Sequence, residues 1–155
     1  MTAAETQRLQ ARALYEQALY YLRERQPSPA LSTLREAIGL DATVPLYHTS
    51  LGVIYLELQR PDIALASFQE AVRLDPGYAD AHLSLGVALA EMQRWEEAVR
   101  AYQKAIAYPT LSAGPIAHHN LGLAFYHLNR FAEAEQSYRF AIALDARMEG
   151  AYYNL

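Results

Sequence analysis

Of 155 residues, 52% are hydrophobic, 19% are charged and none is cysteine. That apolar share supports a packed core and excludes a disordered chain. Thirteen basic against seventeen acidic residues, a formal charge of −4, exclude the cationic surplus of a nucleic-acid binder, and the missing cysteine excludes disulfides, thiolate nucleophiles and thiolate-bound metals.

From residue 11 onward the sequence predicts a series of helix pairs. The first pair, 11–44, carries Ala18 in its first helix and Ala30, Leu34 and Ala37 in its second. In the second pair, 45–78, His48, Leu51, Gly52 and Tyr55 follow the i, i+3, i+4, i+7 spacing of one helical face. A break follows at 59–62, where Pro61 suits a first helical turn because its missing N–H would be unpaired there anyway. Ala64, Phe68 and Ala71 then form a second apolar stripe, which Asp75-Pro76-Gly77 ends. The third pair, 79–114, repeats this with Gly86, Ala98, Tyr102 and Ala105. It carries two extra residues within 108–115. The fourth, 115–148, has Gly122, Ala134, Tyr138 and Ala141, and a partial fifth occupies 149–155.

Aligned, the pairs share columns: Ala18, Gly52, Gly86 and Gly122 are spaced 34, 34 and 36 residues apart, and Leu34, Phe68, Tyr102 and Tyr138 keep the same step. Self-similarity at this period is the mark of a repeat architecture. The small residues are expected where two helices cross, with the aromatic filling the adjoining space. The whole chain, 1–155, is expected to form a single domain. Tyr152 and Leu155 are expected to pack on Ala134, Tyr138 and Ala141, leaving a C-terminal edge prone to homodimer contacts.

Leu51-Gly52 with Tyr55, then Ala64 with Phe68, then Pro76, resembles the tetratricopeptide repeat. The resemblance covers 11–148. It departs from the family where Leu14, His48, His82 and His118 replace an early Trp, and where Gln17 and Ala18 stand for Leu-Gly. The family implies an all-α, right-handed superhelical solenoid of antiparallel helix pairs, with first helices lining a concave groove. On those helices the side away from the core stripe carries three columns. They are Tyr15, Thr49, Leu83 and His119; Leu19, Val53, Val87 and Leu123; and Leu22, Leu56, Ala90 and Tyr126. Contiguous exposed apolar surface marks an interaction site, so this band is expected to receive a protein or peptide segment. The competing account is packing between neighbouring first helices. Beside it runs a polar column, Glu16, Ser50, Ser84, Asn120 and Asn154, in which an amide could pair with peptide backbone.

One known use of these repeats grips an acidic chaperone tail with Lys and Arg. The matching places, Thr49, Val53, Ser84, Ile116 and Asn120, hold no cation. No metalloprotease, nucleophile-elbow, P-loop or dinucleotide motif occurs, so no catalytic residue, cofactor or metal is expected. His48, His82 and His118 share one phase of successive repeats, on the order of 10 Å apart, and are expected to pack rather than chelate. The longest apolar runs, such as 51–56, fall far short of the roughly 18 residues of a membrane span.

The Pro-bearing stretch 108–115, followed by Asn120-Leu121-Gly122, also resembles the pilotin-like lipoproteins that help secretins assemble for type IV pili. That resemblance implies a periplasmic protein whose apolar band takes a secretin segment. Its lipid-anchored Cys and signal peptide have no counterpart here, though a mature domain could omit both. Two alternatives stay open: a regulatory module of a larger enzyme such as a glycosyltransferase, and a self-assembling cytoplasmic scaffold.

Overall fold

The structure, a computed structural model, describes residues 1–111 and 113–145. Within these the order is α1 (Ala3–Arg23), α2 (Pro27–Leu40), α3 (Pro45–Glu57), α4 (Pro61–Leu74), α5 (Ala79–Glu91), α6 (Trp95–Ile106), α7 (Gly114–His127) and α8 (Phe131–Leu144). Two compact halves result, Met1–Pro76 with α1–α4 and a second that begins at Gly77 and holds α5–α8. In the first half α1 pairs with α2 and α3 with α4, while α2 also packs on α3. In the second half α5 pairs with α6, α6 packs on α7 and α7 pairs with α8. The expected packing of Tyr152 and Leu155 falls outside the described residues.

The turn inside each pair is built the same way. Arg25, Gln59, Gln93 and Asn129 each follow a first helix with φ between 57° and 60°. The residue after each donates its N–H back to a carbonyl five places earlier, as Arg60 does to Tyr55 at 2.8 Å and Arg94 to Leu89 at 2.9 Å. This left-handed closure satisfies carbonyls that the helix end would otherwise leave unpaired. Only glycine adopts such a φ without cost, yet none of the four is glycine. Gln93→Gly should therefore raise stability by about 0.5–1 kcal/mol, and Asn129→Gly by less, because asparagine already tolerates this conformation. Urea unfolding of the two variants would check the order, and an unchanged midpoint in Gln93→Gly would contradict it.

Pro27 and Pro61 occupy first-turn positions of the following helices, as the sequence predicts for Pro61. The start of α1 differs from expectation: the helix begins at Ala3, well before the repeat phase reaches residue 11. Thr2 and Glu5 cause this. The Glu5 N–H donates to the Thr2 hydroxyl at 3.1 Å, and the Thr2 N–H donates to the Glu5 carboxylate at 2.7 Å. This reciprocal cap satisfies donors that would otherwise fray, so helix persists where no core lies beneath it.

Each helix crossing is set by a small residue facing a large one. A Cβ on Gly52 would enter the Phe68 ring, and one on Gly86 the Tyr102 ring; on Gly122 it would stand 2.7 Å from Tyr138 Cε1. Phe68 is fully buried, and Tyr102 and Tyr138 nearly so. In the first pair the partners are instead Ala18 and Leu34, both buried. Alanines at 30, 64, 98 and 134, and at 37, 71, 105 and 141, line the second-helix faces and are buried throughout. Helices this poor in bulk at the contact approach closely, and the aromatic rings fill the remaining space.

Candidate functional site

Two of the three histidines that share a phase are buried packing residues. His48 donates from Nε2 to the Ala42 carbonyl at 2.9 Å, and His82 stacks on Tyr108 with ring centres 5.8 Å apart. His118 lies half-buried against Phe140, and burial lowers its pKa, keeping the imidazole neutral. Among the described residues no cluster of three or more His, Cys, Asp or Glu could hold a metal ion. No helix among them is long and apolar enough to cross a membrane.

In the first half, the candidate residues divide into two kinds. Tyr15 stacks on Tyr47 with centroids 4.8 Å apart, and its hydroxyl meets that of Ser50 at 3.1 Å. Thr49 is buried and donates to the Pro45 carbonyl of its own helix at 3.0 Å. Tyr15 and Leu22 also lie against the core cluster of Ala11, Ala18, Ala30, Leu34 and Ile54. These contacts join α1 to α3 and α2, as the packing account of the band describes. Val53 behaves otherwise. It is 39% exposed between buried Gly52 and Ile54. Leu19 and Leu56 are half-buried.

The second half repeats the division. His119 packs its ring against Tyr138 at 5.5 Å, and burial lowers its pKa and disfavours the charged form. Leu83, Ser84, Val87 and Asn120 are half-buried, whereas Leu123 is 37% exposed between buried Gly122 and Ala124. Tyr126 is exposed, with its ring edge against Phe131. Val53 and Leu123 thus hold the same repeat position, each an aliphatic side chain left in solvent beside a residue at the helix crossing.

The second half also contains a hollow of about 260 Å³ that the sequence did not single out. Val87, Asn120 and Leu123 line it, together with Ala90, Glu91, Trp95, Tyr102 and His127. Trp95 and His127 form one wall, their rings parallel within 2° and 4.0 Å apart. Tyr102 lies at the base, where burial first and the Glu91 carboxylate second raise its pKa and hold the hydroxyl protonated. The repeat columns carry the signal for this hollow: Ala90 stands where the first two repeats have Leu22 and Leu56, and Trp95 stands where they have Pro27 and Pro61. Removing the leucine bulk opens the space, and the tryptophan walls it.

The tetratricopeptide repeat family matches residues 49–112 and 89–149. No curated protein sequence matches the chain. In solved structures the chain is similar to MamA, at 24% identity and a TM-score of 0.80, over 90% of this chain and 81% of that one. It is similar to PilW, described as a widely conserved type IV pilus biogenesis factor, at 25% identity and a TM-score of 0.87. That match covers 94% of this chain and 66% of PilW, just under two thirds of its length. It also shares the fold of YrrB, described as a TPR protein with an unusual peptide-binding site, at 21% identity and a TM-score of 0.80, over 93% and 73% of the two chains.

Proposed function

The chain belongs to the tetratricopeptide repeat family, an all-α fold of paired helices that mediates protein–protein interaction, and from that premise we propose that it is a non-catalytic scaffold whose first-helix faces dock a peptide or an amphipathic helix. The observation that carries this reading is the exposure of Val53 and Leu123 at one repeat position. Packing inside each half consumes Tyr15, Leu22, Thr49 and His119 but leaves these two free. An aliphatic side chain held in water beside a rigid crossing gives up no hydrogen bond on docking and gains the burial of its surface, about 25 cal/mol per Å². The face is also already ordered, so binding costs little conformational entropy on this side.

The more specific reading is a pilotin-like role in type IV pilus biogenesis, with a segment of a secretin as the occupant. It is supported by the likeness to PilW and by the Pro-bearing stretch 108–115, whose Pro115 falls in the first turn of α7. A second copy would meet the C-terminal edge, where Phe140 and Leu144 on α8 are exposed.

A capture experiment tests the docking face. Wild type, Val53→Glu with Val87→Glu, and a control with Ala66→Glu on the exposed side of α4 are used as bait against lysate of the source cells. The paired glutamates should cut recovery of any specific partner at least tenfold while the control retains it, since a carboxylate buried in an apolar contact costs several kcal/mol. Equal recovery by all three, with unchanged circular dichroism, would remove the docking face.

A further inference from the structure

We propose that the hollow of the third repeat is a subsite for one arginine side chain of the docked segment; this rests on the docking reading above and gives it a sequence preference. Three observations carry it. The first is shape. With alanine at position 90, where repeats one and two have leucine, the cavity is about 260 Å³. Liquid water occupies roughly 30 Å³ per molecule, so the space suits one long side chain rather than a helix or a strand. Val87 and Leu123 supply an apolar lining for a methylene stem.

The second is chemistry. Trp95 and His127 stack on each other in parallel, with ring centres 4.0 Å apart, and both border the hollow. A planar guanidinium that extends this stack on an outer ring face is attracted by the ring quadrupole.

The third is charge. Glu91 is the lining's one carboxylate, and no Lys or Arg lines the space. Neighbouring carboxylates are already engaged: Glu97 holds Arg94 at 2.6 Å, and Glu133 holds Arg130 at 2.7 Å. Glu96 lies 4.0 Å from the same Arg130. Glu91 makes no ion pair among the described residues, so its charge is open to an incoming cation. The Asn120 side chain, also lining the hollow, offers a carbonyl acceptor that an ammonium or guanidinium donor can use. An acidic side chain would meet the like charge of Glu91, and a purely aliphatic one would gain nothing from either acceptor.

Trp95 is the only tryptophan of the chain, so its fluorescence reports this cavity alone. The probes are the peptide acetyl-Ala-Leu-Arg-Leu-Ala-amide and its versions with lysine, glutamine or glutamate at the centre. The arginine peptide should change Trp95 emission and bind about tenfold more tightly than the glutamine peptide, with the glutamate peptide weakest. Glu91→Gln should erase the arginine-over-glutamine preference. Ala90→Leu, which restores the side chain of repeats one and two and so preserves the fold, should abolish the Trp95 response. Equal affinity of the arginine and glutamine peptides would overturn the proposal, and lysine matching arginine would overturn the guanidinium assignment. Amide NMR shifts separate the two readings. Shifts at Val87 and Leu123 that are alike for all four peptides would leave the docking face standing and remove the subsite. No shift with any peptide would remove both.

Discussion

Phe68→Ala is expected to lower the unfolding free energy by about 3–5 kcal/mol, the range for truncating a fully buried aromatic. Phe68 has no exposed surface, and its ring covers the bare backbone of Gly52. That backbone has little room to move in and close the gap, because the buried alanines Ala64 and Ala71 already bring α3 and α4 close. The cavity would stay open, and the loss should sit at the upper end. Phe140→Ala is the control, since that ring is 49% exposed and its removal should cost under about 1 kcal/mol. Urea denaturation of both variants measures the difference. A loss below 1 kcal/mol for Phe68→Ala would mean that the crossing is not filled by this ring.

One chemical change should have opposite signs at two places. Gly39→Ala should stabilise by about 0.5–1 kcal/mol, because nothing lies within 4 Å of the added methyl and alanine is the better helix former. Gly86→Ala should destabilise by about 1–3 kcal/mol, because the methyl enters the Tyr102 ring. The first repeat shows the remedy, pairing Ala18 with Leu34. Adding Tyr102→Leu to Gly86→Ala should therefore cost less than the sum of the two single changes, by at least about 0.5 kcal/mol. Strict additivity in that cycle would show that residues 86 and 102 do not oppose each other across the crossing.

The columns make plain why so much of the fold was readable. Gly52, Gly86 and Gly122 recur with Phe68, Tyr102 and Tyr138 because these three crossings set a missing side chain under a ring. A steric requirement repeated at a fixed period becomes visible in the sequence itself. Pro61 was readable for the same reason, since a first turn is where proline loses nothing. The early start of α1 was also legible in Thr2 and Glu5, but as a local cap outside the repeat phase it escaped a reading organised by columns.

The candidate face was legible only in part. A column assigns a direction on the helix, not a neighbour. Tyr15 and Val53 both lie on the outward columns, yet Tyr15 is taken up by Tyr47 and Ser50 while Val53 is left in water. Ala90 stood in an outward column as an unremarkable small residue until Trp95 and His127 were seen stacked beside it.

Periodicity alone determined the all-α class, the pairing of helices and the glycine-aromatic crossings, because these rest on contacts between residues a fixed distance apart along the chain. Tertiary structure decided which outward side chains are consumed by packing, which stay exposed, and where the hollow lies. Those properties depend on the atoms that happen to stand opposite, and side chains from different helices meet there without any rule of spacing between them.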